Sequence, residues 1–249
     1  MIKFFRNIRQ KLLQSNKLKS YSAYALGEIF LVVLGILIAL QINNWNEERK
    51  DNARMLTYIK SIAEDITSDT MRIGHVISEL NNQSEAAKYI IPIMESNQQY
   101  ISDSLKFILE FNKLTTTQII NEYTNTWTFL NSSGLLSEFP DPKLIKMLQD
   151  YYNNFNNHVT NFTNSAIPAR LEIRRLKYEL FTDTEHRKFF PTTTPVSPNA
   201  SVYNAIFEDK RVLPMARFIG STANYFEGRF ISIESKGVNI LNYISVKYK

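Results

Sequence analysis

Few residues in this 249-residue chain have the type and spacing that chemistry needs. Glu28 is the one charged side chain between Ala23 and Leu40, and Ile29–Leu40 after it carries no polar side chain. An ionisable group in an apolar segment is costly and marks a candidate for ion or proton transfer. Gly35 and Ala39 are small residues four apart, a spacing that lets two helices approach closely. Steps of seven and four place Glu28, Gly35 and Ala39 on one stripe. Elsewhere the inventory is thin. His75, His158 and His186 are widely separated and each lacks a nearby ligand, so no metal site is expected. Without Cys there is neither thiolate catalysis nor a zinc–thiolate site. The sequence has no G-x-S-x-G, no P-loop and no dinucleotide fingerprint. The acid pairs Glu64-Asp65 and Glu208-Asp209 are adjacent, so on a helix they do not face each other. No catalytic, cofactor-binding or metal-ligating residue is assigned, and neither a cofactor nor a small-molecule ligand is expected.

Glu28 supports two readings. In the first it sits at headgroup level beside a Lys or Arg of the N-terminal tail and sets the depth of the segment. In the second it is the proton- or ion-coupling acid of an accessory subunit in a membrane assembly. The first is favoured, because the cost of a charge is highest at the bilayer centre and Glu28 lies near one end. The second makes a sharp prediction. Glu28→Gln abolishes activity of the assembly at unchanged expression and assembly, and wild-type behaviour of that variant removes the reading.

The elements that position these residues follow from charge and hydropathy. Residues 1–21 carry Lys3, Arg6, Arg9, Lys11, Lys17 and Lys19 and no acid, whereas the whole chain has a net charge of +5, so residues 22–249 sum to −1. The basic balance is thus a short tail on a near-neutral body, which argues against nucleic acid as a partner. After the tail, Tyr24 and Trp45 bracket the apolar run. They are 21 helical steps apart, about 32 Å at 1.5 Å per residue, matching a hydrocarbon core of about 30 Å. Aromatic residues at both ends suit the two interfaces, and six cations on one flank against a mixed Glu47, Glu48, Arg49, Lys50 and Asp51 cluster on the other place the N-terminus in the cytoplasm. A cleaved signal peptide fits less well, since Gln41-Ile42-Asn43-Asn44-Trp45 is poor cleavage context. A buried soluble helix leaves the charge asymmetry unexplained. The expected organisation is a basic cytoplasmic tail at 1–21, a transmembrane helix at 22–45 and a periplasmic region at 46–249.

That region reads as helices. Met55, Ile59, Ile62, Ile66, Ile73, Ile77, Leu80, Ala87, Ile91 and Met94 recur at steps of three and four with two polar interruptions, predicting a stalk helix that Pro92 kinks or ends. Ser102–Lys113 predicts a short helix. Thr115–Thr117 offer N-caps to another, through Ile119, Ile120, Tyr123, Trp127 and Leu130, which Gly134 ends. Asp141-Pro142 opens a helix whose seam runs through Leu144, Leu148, Tyr151, Phe155, Phe162, Ala166, Ile173, Leu176 and Leu180, with a kink at Pro168. Residues 182–200, with three prolines, read as a loop. A turn of helix around Val202–Phe207 and a long helix from near Pro214 complete the chain. No segment alternates with period two. The fold class is all-α, with a single transmembrane helix continuing into a stalk and an exterior helical bundle.

Gly27-Glu28-Ile29 and the run Gly35-Ile36-Leu37-Ile38-Ala39-Leu40-Gln41-Ile42-Asn43-Asn44-Trp45-Asn46-Glu47 resemble the opening of an uncharacterised family of Bacteroidota membrane proteins. The turn Ser132-Ser133-Gly134-Leu135 and the helix to Tyr151-Tyr152 are similar to that family too. Over the C-terminal half the likeness is mainly one of helix order, and Phe139-Pro140-Asp141-Pro142 departs from the more polar turn expected there. The resemblance implies a basic tail, an anchor and an all-helical exterior, and no mechanism. The leading expectation is a single-pass protein of the inner membrane whose bundle binds or senses a partner by contact. Its partners would be the lipid bilayer and a second copy or another membrane protein. An ion-coupled subunit using Glu28 comes second, and an exterior hydrolase or transferase is least favoured.

Overall fold

The structure is a computed structural model that describes residues 18–96, 101–118, 120–121, 125–182 and 200–248. Among the described residues there are helices and their connections, with no strand. The tail residues Lys3, Arg6, Arg9, Lys11 and Lys17 lie outside the described residues, as does nearly all of the expected loop at 182–200. The chain divides into two compact units, Met1–Thr57 and Tyr58–Lys249, and the division falls inside the first helix, α1 (Leu18–Glu95, 78 residues).

In the first unit the apolar run is exposed on every side. Ile29, Val32, Leu34, Ile36, Leu37, Ile38 and Leu40 all stand open, and the most apolar 18-residue window of α1 has none of its residues buried. By length and composition this helix is a candidate to cross a membrane.

In the second unit the same helix is half buried. The remaining elements are α2 (Ser104–Leu114), α3 (Asn125–Ser132), a 3-10 turn at Leu135–Glu138, α4 (Pro142–Ser165), α5 (Ile167–Leu180), α6 (Ala200–Glu208) and α7 (Val212–Lys247). Spacing dictates which faces meet. Along α1 the buried positions are Ile59, Ile62, Ile66, Asp69, Ile73, Val76, Leu80, Gln83, Ala87 and Ile90, an unbroken alternation of three and four. Along α7 they are Val212, Ala216, Ile219, Ala223, Phe226, Phe230, Ile233, Gly237, Ile240 and Ile244, the same alternation. Stripes of this period pack side chains of one helix between those of the next. The order of contacts makes α7 antiparallel to α1: Arg217 pairs with Glu95, Gly220 abuts Ala87, Gly74 faces Glu234 and Gly237 abuts Thr70. The run α4–α5 is antiparallel to α7 as well. Asp141 meets Lys247, Phe162 meets Phe226 and Phe230, and Arg170 meets Thr222.

One end of this three-helix frame is closed by α2 and α6. Phe107, Ile108, Phe111 and Leu114 of α2 and Val202, Tyr203 and Ile206 of α6 join Ile90, Ile173, Leu176, Val212 and Ile219 in one apolar cluster. Phe107 and Tyr203 meet edge to face at 5.0 Å. Each such side chain contributes about 1.5–3 kcal/mol by leaving water.

Several local expectations are corrected. The α1 seam passes through Val76 and Ile90 where Ile77 and Ile91 were expected, because strict three-four spacing from Ile73 selects them. Pro92 lies in the last turn of α1, three residues before its end. The last turn closes around it, with the Ser96 N–H donating to the Pro92 carbonyl at 3.0 Å, and the helix stops at Glu95. Thr115 and Thr116 do not cap the next helix. Their hydroxyls donate back to the Asn112 and Lys113 carbonyls at 2.7 and 2.8 Å and finish α2. The following helix therefore starts later, at Asn125, and Ile120 is buried in non-helical chain (Ile119 and Tyr123 lie outside the described residues). At Pro168 the helix is interrupted at a single residue, Ala166, and the buried seam resumes beyond it. Gly134, at φ 77°, takes the left-handed turn after α3, and Asp141 caps α4 by accepting from the Leu144 N–H at 3.1 Å, with Pro142 in the first turn.

Candidate functional site: polar layers inside the bundle

The residues singled out in the first unit keep their helical stripe. Glu28 is half-exposed, Ala39 is exposed, and a Cβ added to Gly35 would meet nothing within 4 Å. Trp45 is exposed and carries the Arg49 guanidinium 6.0 Å above its ring. The side chains of Tyr24 and Lys19 lie outside the described residues.

The second unit gathers its polar chemistry inside the seam. Three seam positions that spacing reserves for apolar residues hold Asp69, Gln83 and Arg170, each no more than 3% exposed. Gln83 of α1, Arg170 of α5 and Thr222 of α7 form one layer. The Arg170 Nε donates to the Gln83 Oε1 at 2.8 Å. Its Nη1 donates to the Ala166 carbonyl at 3.0 Å and to the Thr222 Oγ1 at 3.2 Å. The guanidinium lies 5.3 Å from the Phe162 ring centroid. Gln83 spends its amide N–H groups on the carbonyl and hydroxyl of Thr116, at 2.9 and 3.0 Å, which ties the chain after α2 to the same layer. Among the described residues, one guanidinium nitrogen, Nη2, is buried with no hydrogen-bond partner, and no carboxylate pairs with the charge. Burial alone pushes Arg170 down to about 10.

A second layer joins Asp69 of α1 to Tyr151 of α4, whose hydroxyl donates to Oδ2 at 3.5 Å. Gly237 of α7 makes room for it, since a Cβ there would stand 3.3 Å from the Tyr151 ring and 2.7 Å from Thr70 Cγ2. Tyr152 next in sequence stacks on Trp127 of α3 at 5.3 Å. The Thr126 N–H donates to Asp65 at 3.2 Å, fixing the start of α3 against α1.

A third cluster lies at the other end of α4. Asp141 is 2% exposed and accepts from Lys247, Tyr248 and Tyr243 at 2.8, 2.8 and 3.2 Å. Burial alone would raise its carboxyl, but the hydrogen bonds from Lys247, the Leu144 N–H and the two tyrosines hold it at about 2.

Open clefts carry little that could act together. One, of 590 Å³, lies between the end of α1 and the α6–α7 turn, with Met94, Phe207 and Leu213 beneath Glu208, Asp209 and Lys210. Asp209 there is already paired with Arg211 at 2.7 Å. A second, of 420 Å³, holds His75 between Arg72 and Glu79. His158 is half-buried beside α7, and burial, then Arg229 and Lys236, lower it. His186 lies outside the described residues. Burial, and secondarily Arg174, lowers Lys177 to about 8, while it donates to Asn112. Among the described residues no three His, Asp or Glu side chains gather as a metal would need.

Asp69, Gln83, Arg170 and the Asp141 cluster were not among the candidate residues read from sequence. The two polar interruptions of the α1 seam are Asp69 and Gln83, and a polar residue on a seam position was the available signal. Residues 28–162, more than half of the chain, match the model of a family of unknown function, DUF6090. No curated protein and no solved structure matches. The matched span begins at Glu28, takes in the apolar run, Asp69 and Gln83, and stops within α4 before Arg170 and α7, and on this match the chain belongs to DUF6090, a family of unknown function.

Proposed function

We propose that the protein is a single-pass inner-membrane protein with a cytoplasmic N-terminus, and that its periplasmic helical bundle works by contact with another protein or a second copy of itself. The observation that carries this reading is the contrast between the two units. Leu26, Phe30, Leu31, Val33 and Leu37 of α1 are all 46% or more exposed, in a chain whose other apolar stripes are packed. Such a surface is stable in lipid and not in water. The bundle supports a contact role because its polar groups are used on one another inside the seam. Gly35 is open to a neighbouring helix and shares its face with Ala39, which favours a second membrane helix as one partner.

The chain has no Cys, so single cysteines test topology and contact together. Asn239→Cys, on an exposed position of α7, should react with a membrane-impermeant maleimide in cells whose outer barrier is permeabilised, and Asn16→Cys only after lysis. The opposite pattern overturns the orientation. Gly35→Cys or Ala39→Cys should form a disulfide-linked dimer in the membrane, whereas Val33→Cys, on another face, should not. Equal crosslinking from all three positions removes the stripe as an interface.

A further inference from the structure

We infer that the outward face of α7 is a docking surface for the α7 of a second copy of this chain, lying parallel to it. This rests on the reading that the bundle works by contact, and it names the partner and the surface. The first observation is the composition of the face. Phe218, Tyr225, Ile231 and Val238 of α7 are between 43% and 49% exposed. Among the described positions that are fully exposed between Phe218 and Val246, Arg229 alone is charged. The exposed positions of α1 in the same unit include Lys60, Glu64, Arg72, Glu85, Lys88 and Glu95. Among the described residues of α4 beyond Asp150 the exposed face is also charge-poor, but it holds Asn, Thr and Ser and no large apolar side chain. Few charges together with apolar side chains is the composition of an interface core and not of a solvated face. Ser221, Gly228 and Ser235 recur every seven residues along the middle, with Ile231 and Val238 beside them, and a Cβ at Gly228 would find nothing within 4 Å. A second helix therefore has room to come close.

The second observation is the charge on the two edges of the face, which selects the occupant and its direction. Glu227 and Glu234 lie on the edge toward α1. The Glu234 Oε1 stands 3.3 Å from where a Gly74 Cβ would be, and Lys88, raised chiefly by its bond with Glu85, also feels Glu227. Arg229 and Lys236 lie on the edge toward α4, where His158 is lowered first by burial and then by these two cations. One edge is acidic and the other basic. Two copies related by a two-fold axis along the helices set the acidic edge of each beside the basic edge of the other, on both sides of the pair. Turned antiparallel, acid would meet acid and base would meet base. The face is thus complementary to itself in one direction only. Its apolar area is modest, and a shared bilayer offsets this, because anchored copies meet at high effective concentration. Pairing over Ser235 and Val238 leaves Asn239, across the middle row, at the rim and open to the maleimide that reads orientation.

Disulfide formation in membranes carrying the full-length chain tests this. Ser221→Cys and Ser235→Cys, about 21 Å apart along α7, should each give a disulfide-linked dimer. The yield of each should be at least about fivefold above that of Glu64→Cys, on the outward face of α1. An antiparallel pair brings at most one of the two α7 positions to its own counterpart, so a dimer from only one of them overturns the parallel arrangement. Equal yields from all three variants are those of random collision and remove the surface. Glu227→Lys with Glu234→Lys makes both edges basic, and Arg229→Glu with Lys236→Glu makes both acidic. In the Ser235→Cys background each pair of changes should cut the dimer at least about threefold, and co-expression of the two variants should restore it between unlike chains. No loss, or loss without restoration, rules out pairing of the edges. If Gly35→Cys crosslinks and neither α7 position does, the contact reading stands and this surface falls. Protection of Ser235→Cys from maleimide without a dimer means that another protein covers the face, and it overturns a second copy as the occupant.

Discussion

Gly220→Ala is expected to destabilise the bundle by about 2 kcal/mol, whereas Gly228→Ala, two turns along the same helix, should stabilise it by up to about 1 kcal/mol. In the interior of a solvent-facing helix, replacing glycine by alanine is favourable, because glycine loses more backbone freedom on folding. Gly228 meets that description, since a Cβ added there finds nothing within 4 Å. At Gly220 the added Cβ would stand 2.5 Å from the Ala87 Cβ. Carbon atoms in good contact sit about 3.5–4.0 Å apart, so two helix backbones would have to separate by roughly an ångström, loosening Ile219, Ala223 and Ile90 around the contact. Ala87→Gly should cost about 1 kcal/mol alone, and combined with Gly220→Ala it returns one methyl to the gap from the other side. The double variant should therefore recover most of the loss, with a coupling of at least about 1 kcal/mol in the cycle. For a unit of this size 2 kcal/mol is a shift of about 4–8 °C in unfolding midpoint, readable by circular dichroism of the detergent-solubilised chain. Equal midpoints for Gly220→Ala and Gly228→Ala would show that α1 and α7 do not approach so closely.

This contact shows where reading the sequence alone reaches its limit. The three-four spacing of apolar residues identified both helices and nearly all of their buried faces, because helical period and burial are tied by geometry. It also supplied the cap at Asp141-Pro142, the turn at Gly134 and the apolar run near the N-terminus. Spacing says nothing about which helix faces which, so Gly220 and Gly237 carried no signal until α7 was laid antiparallel on α1. The same gap explains the polar layers. Asp69 and Gln83 fell on seam positions but read as interruptions, and Arg170 was passed over between Ala166 and Ile173. A buried polar residue has meaning only through partners from other helices, and these are 82, 87 and 52 residues away for Asp69 with Tyr151, Gln83 with Arg170 and Arg170 with Thr222. The helix expected after Thr117 was misplaced for a related reason. Threonine hydroxyls serve a preceding C-terminus as readily as a following N-terminus, and the tie from Gln83 to Thr116 decided between them. Glu28, Gly35 and Ala39 were legible as a stripe because one helix suffices to define it.

The Asp141 cluster supplies the other large effect, and it is one that pH can read. Asp141→Ala should lower stability by about 3 kcal/mol. Loss of the cap on the Leu144 N–H accounts for about 1 kcal/mol, and loss of the bonds from Lys247, Tyr248 and Tyr243 for the rest. Lys247 is half in solvent and rehydrates when its partner goes, which keeps the loss below that of a fully buried pair. Asp141→Asn retains a good capping oxygen and should lose only about 1–2 kcal/mol. The sign of the pH effect follows from the direction of the shift. The carboxyl stands at about 2 in the folded chain against 3.8 unfolded, so the unfolded chain takes up its proton first as the solution is acidified. The contribution of Asp141 is therefore complete above 3.8 and is lost as pH falls toward 2, an amount of about 2 kcal/mol. Other carboxylates titrate in the same interval, so the difference between variants is the informative quantity. Unfolding midpoints of the wild type should fall more steeply than those of Asp141→Asn between about pH 5 and pH 2, and the two curves should converge at the acid end. Burial raises the Tyr248 phenol to about 12, with Asp141 adding to the shift, so that hydroxyl remains a donor throughout the range and does not contribute to the slope. Tyr248→Phe should accordingly lower both ends of the curve by a similar amount, about 1 kcal/mol, and leave its shape intact. Parallel curves for wild type and Asp141→Asn would mean that the carboxylate is not held by the end of α7, and that the chain's last turn is free of the rest of the bundle.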